Sequence, residues 1–241
     1  MKVVVFDFDG TLTKSKKGSN CWFKVWQAVD DTAYDDFLFG KYRRNEIDQK
    51  EWFDLIVERW KEKNVSQEIL KGISKSIELL DGAQETLEKL HQSGIKIFVL
   101  SGGIRQIIEP VLKRERIDKF ITSVETYDLI FDENNKLVGY NSPAHNPDVK
   151  NEYVEVIKTK FNLKGEDILF VGNGENDEDV YKSGAVTLCI NPDDADFKNK
   201  TVWTHYIEHC NNLAEILPFI RTNCEKKEKV CQQQKNIKNM S

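Results

Sequence analysis

The chain has 241 residues, 39% of them hydrophobic, and a formal net charge of −5. That is enough apolar material to bury a core in one large domain, or in one domain with an insertion. The acidic balance argues against broad nucleic-acid binding, and the lack of any run of ~20 apolar residues argues against a transmembrane helix.

The chain begins with KVVVF at 2–6, β-branched and aromatic, which predicts a buried strand. No basic region followed by an apolar run precedes it, so no secretion signal is expected. From about Lys14 to Ile77 the pattern turns helical without a convincing strand. Trp22 and Trp26 recur at i, i+4, and Asp48 can cap a helix in which Trp52, Ile56 and Trp60 share one face. The segment 82–94 predicts a helix with Leu87 and Leu90 on one face and Gly94 as its stop.

IKIFVL at 95–100 is a second strand, and 104–114 a helix. Residues 121–140 suggest a strand and a hairpin turning at Asn134 and Asn135. A helix over 149–161 is followed by strands at DILFVG (167–172) and AVTLCI (185–190). Continuous apolar runs suit a sheet covered on both faces. Their alternation with helices predicts an α/β fold with a doubly wound, mostly parallel sheet and a small helical insertion after the first strand. From about Arg221 the chain is polar and is expected to be a disordered tail. The five cysteines, Cys21, Cys189, Cys210, Cys224 and Cys231, show no metal-ligand spacing and read as free thiols packed as small hydrophobes, which suits a cytoplasmic protein.

In an open α/β sheet, ligands bind just past the carboxyl ends of the strands. Four such places are notable: Asp7 to Thr11, Ser101-Gly102-Gly103, Lys150 at a helix start, and GNGENDED from Gly172 to Asp179. Asp7 and Asp9 can face one pocket if the chain turns at Gly10. Two carboxylates that close repel unless a cation lies between them. Oxygen donors with no His or Cys beside them favour a hard ion, most simply Mg²⁺. Ser101 followed by two glycines at a helix start offers a hydroxyl and backbone N–H groups to a phosphate, and Lys150 adds a point charge. Together these parts describe phosphoryl transfer.

The stretch Asp7-Phe8-Asp9-Gly10-Thr11-Leu12-Thr13 resembles the first motif of the haloacid dehalogenase superfamily of phosphohydrolases. Ser101-Gly102-Gly103 resembles the second motif, Lys150 the third, and Gly172-Asn173-Gly174-Glu175-Asn176-Asp177 the fourth, in matching order and spacing. The resemblance covers a Rossmann-like catalytic core over 1–13 and 78–220. The helical stretch 14–77 looks like a C1-type cap, closest to the phosphoserine-phosphatase-like branch.

The resemblance implies a Mg²⁺-dependent phosphatase of small-molecule phosphate esters. Asp7 would be the nucleophile forming an aspartyl-phosphate, and Asp9 the acid and then the base. Ser101, Gly102, Lys150 and Asn176 would hold the phosphoryl oxygens with Asp7. Asp7, Asp9, Asn173 and Asp177 would serve the metal, Asp9 through its main-chain carbonyl and Asp177 directly or through water. The family commonly has an acid where Asn173 stands, which implies weaker Mg²⁺ affinity and more metal binding by Asp177. Two further readings remain open: a phosphate-ligand-binding protein with weakened catalysis, and a phosphotransferase or mutase.

Other residues have plainer readings. Lys158 and Lys160 are weak competitors for the role of Lys150, and Glu175, Glu178 and Asp179 suit a solvated helix start. Trp22, Trp26, Trp52, Phe53 and Trp60 could form a cation-binding cage, but helical spacing favours the core of the cap. At most one of the neighbours Arg43 and Arg44 can reach an anionic substrate, and His145 reads as a loop residue. The stretch Lys14 to Phe23 lacks the acid expected to grip the amino group of phosphoserine, which counts against that substrate.

Overall fold

The computed structural model describes residues 1–14, 19–142, 150–192 and 200–220. The expectations for His145, Cys224, Cys231 and the tail from Arg221 lie outside these residues. Seven strands form one sheet in the order β4-β3-β2-β1-β5-β6-β7. They are β1 (Val3–Phe6), β2 (Lys96–Ile104), β3 (Ile121–Phe131), β4 (Leu137–Asn141), β5 (Ile168–Gly172), β6 (Val186–Ile190) and β7 (His205–Ile207). All neighbours pair in parallel except β3 and β4, the expected hairpin. Its turn places Asn135 in the left-handed region at φ 62°.

Side chains alternate across the sheet, and the two faces bury different sets. Val4, Phe6, Ile97, Val99, Leu169 and Val171 pack on one side. Val3, Val5, Phe98, Leu100, Ile168 and Phe170 pack on the other, against Tyr153, Val154 and Ile157. The latter three project from helix α7 (Lys150–Phe161). This two-sided burial is why β1 and β5 are apolar at every position and β2 from Ile97 to Leu100.

Between β1 and β2 the chain makes helices α1 (Cys21–Ala28), α2 (Thr32–Arg43), α3 (Gln49–Glu62), α4 (Gln67–Ser76) and α5 (Ala83–Gln92); α6 (Arg105–Arg114) follows β2. Asp48 caps α3 by accepting from the Glu51 amide at 2.8 Å, and Leu87 and Leu90 of α5 are buried as their spacing requires. Helices α1, α3 and α4 send Trp26, Phe53, Trp60 and Leu70 into the same apolar cluster as one sheet face. Arg114 fastens α4 to α6 by donating to the carbonyls of Ser74 at 2.6 Å and Ile77 at 2.5 Å. Cys21, Cys189 and Cys210 are buried free thiols, and among the described residues no helix is long and apolar enough to cross a membrane.

Two features depart from the sequence reading. Strand β2 runs on through Ser101, Gly102 and Gly103 to Ile104, and α6 starts only at Arg105. The glycines therefore close a strand rather than open a helix. The edge strand β7 was not expected; its three residues are half-buried and give no apolar run.

Candidate active site

Strand register builds the site. Phe6 lies level with Val99 of β2 and Val171 of β5, so Asp7 and Asn173 emerge from adjacent strand ends beside Ser101, which lies within β2. The chain then turns sharply. The amides of Thr11, Leu12 and Thr13 all donate to the Phe8 carbonyl, at 3.3, 3.0 and 3.2 Å. Gly10 makes the turn at φ +75°, and a Cβ there would stand 2.2 Å from Asn173 Nδ2. Only glycine meets both the left-handed backbone and the close approach. Thr11 Oγ1 donates to Asn173 Oδ1 at 3.3 Å, which ties the turn to the end of β5.

Behind the turn lies a buried charge cluster. Lys150, the first residue of α7 and fully buried, donates Nζ to Asp7 Oδ1 at 2.9 Å and to Asp177 Oδ1 at 2.5 Å. The other oxygen of Asp177 accepts from the amides of Asn173 at 2.8 Å and Gly174 at 3.0 Å. A Cβ at Gly172 would lie 2.4 Å from that oxygen, so glycine there lets Asp177 in. Burial would lower the Lys150 pKa, but the two carboxylates hold it above its usual value. Burial pushes Asp7 up to about 7, with Lys150 opposing and Asp177 adding to the rise. Buried ionic clusters are weak sources of stability; their retention at strand ends points to chemistry.

A cavity of about 520 Å³ opens over this cluster. Asp7, Asp9, Ser101, Gly102, Asn173 and Asn176 all line it. Lys150 and Asp177 do not; they stand beneath its floor and reach it through Asp7 and the backbone of Asn173. Ser101 is buried, and its Oγ accepts from the Gly103 amide at 3.0 Å. Asp9 is held from above by α1: the Cys21 amide donates to its Oδ2 at 3.0 Å and the Cys21 thiol to its Oδ1 at 3.3 Å. Burial raises the Asp9 pKa, while these two hydrogen bonds pull it back.

The aromatic residues divide. Trp26 and Trp60 are buried in the core, whereas Trp22, Trp52 and Phe53 also line the cavity. Of the two arginines, Arg43 lines the cavity and pairs with Glu175 at 3.0 Å, while Arg44 pairs with Glu46. Phe39, Tyr42, Cys21 and Glu175 were not singled out for the site by sequence. Asn20, which caps α1 by accepting from the Phe23 amide at 2.9 Å, was the available signal that a helix start stands at Cys21.

Among the described residues, no three His, Cys, Asp or Glu side chains are grouped to hold a metal ion. The donors that line the floor are instead Asp7, Asp9 and Asn173. They are all oxygen, with few carboxylates, which fits Mg²⁺ because that ion keeps positions for water and phosphate. Asp177 already accepts three hydrogen bonds from within the protein, so its geometry supports an orienting role over direct ligation.

A mostly parallel sheet wound on both faces, with polar residues gathered past its central strand ends, is the architecture of Rossmann-like hydrolase cores. The sequence profile of the haloacid dehalogenase-like hydrolases matches residues 1–182, and the chain belongs to that family. It is similar to the phosphoserine phosphatase of Archaeoglobus fulgidus, with 26% identity over 199 residues, which is 79% of this chain and 52% of that protein. It is also similar to phosphoserine phosphatase SerB2 of Mycobacterium tuberculosis, with 29% identity over 125 residues, 51% of this chain and 29% of that protein. The matched stretch thus spans about half or less of these two relatives. In fold, the chain is similar to a phospho-aspartyl intermediate analogue of phosphoserine phosphatase at TM-score 0.71 and 21% identity, covering 91% of this chain and 99% of that one.

Proposed function

We propose that the protein hydrolyses small phosphomonoesters through a covalent phosphoryl intermediate on Asp7. The observation that carries this reading is the state of Asp7. Its carboxylate is buried at the cavity floor, and Lys150 pins one oxygen, Oδ1. No hydrogen bond to the other oxygen is made among the described residues, as a nucleophile requires.

An Asp7 oxygen attacks phosphorus, and the bond from phosphorus to the ester oxygen breaks. Asp9 gives its proton to the departing alkoxide, which leaves as the alcohol. The carboxylate of Asp9 then takes a proton from water. That water attacks phosphorus, and inorganic phosphate and free Asp7 are released. Ser101, the Gly102 backbone and Asn176 line the cavity beside Asp7 and hold the phosphoryl oxygens. Lys150 offsets charge at Asp7, and Asp177 orients Lys150. Asp7, the Asp9 main-chain carbonyl and Asn173 Oδ1 would hold Mg²⁺, which when bound supplies positive charge against the phosphoryl group. Helices α1–α4 act as a cap over this core, with the core formed by residues 1–13 and 78–220.

Phosphate release from a panel of phosphomonoesters with Mg²⁺, including p-nitrophenyl phosphate, tests the proposal; no turnover of any ester would overturn it. A second reading, binding of a phosphate ligand with weakened catalysis, is favoured by one observation: the amide of Asn173 stands where the family commonly has an acid. Calorimetry that finds tight ligand binding without hydrolysis would support it.

A further inference from the structure

We infer that the site selects phosphate esters whose alcohol carries a flat, uncharged aromatic ring. The inference rests on the phosphatase reading above and concerns the end of the cavity away from Asp7. Five rings line that cavity: Trp22, Phe39, Tyr42, Trp52 and Phe53. They are set before any ligand arrives. Trp22 stacks on the buried Trp60 with centroids 5.0 Å apart and donates Nε1 to the Gly102 carbonyl at 2.6 Å. That bond fixes the ring beside the phosphate end. Trp52 stacks on Tyr42 at 4.7 Å and 10°, and touches Phe53 at 5.3 Å. A rigid wall loses little conformational freedom on binding. Phe39 remains 46% exposed, so a ligand that covers it removes apolar surface from water.

Charge decides among ligands that a ring wall could take. Apart from Asp7 and Asp9, the charged lining among the described residues is Arg43 and Glu175, which pair with each other at 3.0 Å. No carboxylate is left over for an ammonium group, so the zwitterion of phosphoserine would lose water there without an anionic partner. A quaternary ammonium is the obvious rival, since ring faces attract cations. Here the Arg43 guanidinium already lies 5.7 Å from the Phe39 centroid and occupies the cation position on that ring. A neutral ring meets neither penalty and gains stacking contacts.

The test compares 2-phenylethyl phosphate, propyl phosphate, phosphoserine and phosphocholine under one set of Mg²⁺ conditions. The first two share a leaving-group chemistry and differ in the ring. The expected result is a kcat/KM for the aryl ester about tenfold or more above each of the others, the size of effect that a few ring contacts give. Phe39→Ala, at a half-exposed position where folding is not at stake, should shrink the aryl-to-propyl ratio. Calorimetry with benzylphosphonate and ethylphosphonate, which are not hydrolysed, should show the same preference in Kd. Equal kcat/KM for the aryl and propyl esters, or a higher value for phosphoserine or phosphocholine, overturns the inference and leaves the phosphatase reading standing. Tighter benzylphosphonate binding without turnover of any ester upholds the ring preference and overturns the phosphatase reading. Absence of both turnover and phosphonate preference overturns the two together.

Discussion

Cys21 holds Asp9 twice, through its main-chain amide at 3.0 Å and its thiol at 3.3 Å. The first residue of α1 therefore sets the direction of a carboxylate that sits on the turn after β1. On the proposed mechanism Asp9 must point at the leaving oxygen, so Cys21 acts as a positioning residue. Loss of a hydrogen bond to a buried group is worth about 1 kcal/mol, or roughly fivefold. Cys21→Ala should lower kcat by about that factor with little change in KM, and Cys21→Ser, which keeps a donor, should restore most of it. Steady-state kinetics on a single ester checks this; an altered KM with unchanged kcat would contradict it.

The amide at Asn173 has one fewer negative charge than an acid would bring to the floor of the cavity. Unit charges 4 Å apart interact by ~4 kcal/mol at an effective dielectric of 20, so even partial realisation is visible. Asn173→Asp should tighten Mg²⁺ binding by at least about tenfold, read by calorimetry on the protein without substrate. Unchanged Mg²⁺ affinity would mean that position 173 is not a ligand.

Lys150 joins two carboxylates that have no other cation in contact among the described residues. Removing one partner from a buried ion pair costs ~3–5 kcal/mol, because a charge is left uncompensated. Lys150→Met should therefore lower the unfolding midpoint in urea as well as abolish turnover. The double variant Lys150→Met, Asp177→Asn should recover part of the stability and none of the activity. Additive destabilisation would argue against the coupling.

Asp35, in the first turn of α2, is raised from 3.8 to about 6 by burial, with repulsion from Asp36 adding to it. The helix start favours the charged form, but burial outweighs it. An acid whose folded pKa exceeds its unfolded value stabilises the fold when protonated. That contribution is complete below about 3.8 and is lost as pH rises through about 6. Asp35→Asn should flatten the change of Tm between those pH values and raise Tm above wild type at neutral pH. An unchanged pH profile in the variant would contradict this.

The sheet was legible because β1, β2, β5 and β6 are buried on both faces, and a strand in that position carries a continuous apolar run, such as Val3–Phe6, 97–100 and 168–171. Half-buried His205 to Ile207 carries no such requirement, and β7 gave no signal. The floor of the cavity was legible through close spacing: Asp7 with Asp9, and Asn173 with Asn176, each lie in one short stretch, with Asp177 directly beneath. Its roof was not. Helical periodicity marks Trp22 with Trp26, and Trp52 with Trp60, alike as apolar stripes of two helices. Only the packing of α1, α2 and α3 over the strand ends decides that Trp22 and Trp52 border the cavity while Trp26 and Trp60 do not. Cys21 read as a core filler because its contact, Asp9, lies 12 residues away in the sequence, and no local spacing announces it. Ser101-Gly102-Gly103 looked like a helix start because glycine is a poor strand former, yet pairing with β3 carries β2 through to Ile104.

The central claim is that Asp7 carries the phosphoryl group. It is tested most directly by acid-quenching the enzyme within its first turnover of p-nitrophenyl phosphate with Mg²⁺ and weighing the proteolytic peptides. The account predicts that the peptide containing Asp7 gains the mass of one phosphoryl group in wild type and gains nothing in Asp7→Asn, which also releases no phosphate. Phosphate release by Asp7→Asn at a rate near wild type, or a phosphoryl group on any other peptide, would contradict it.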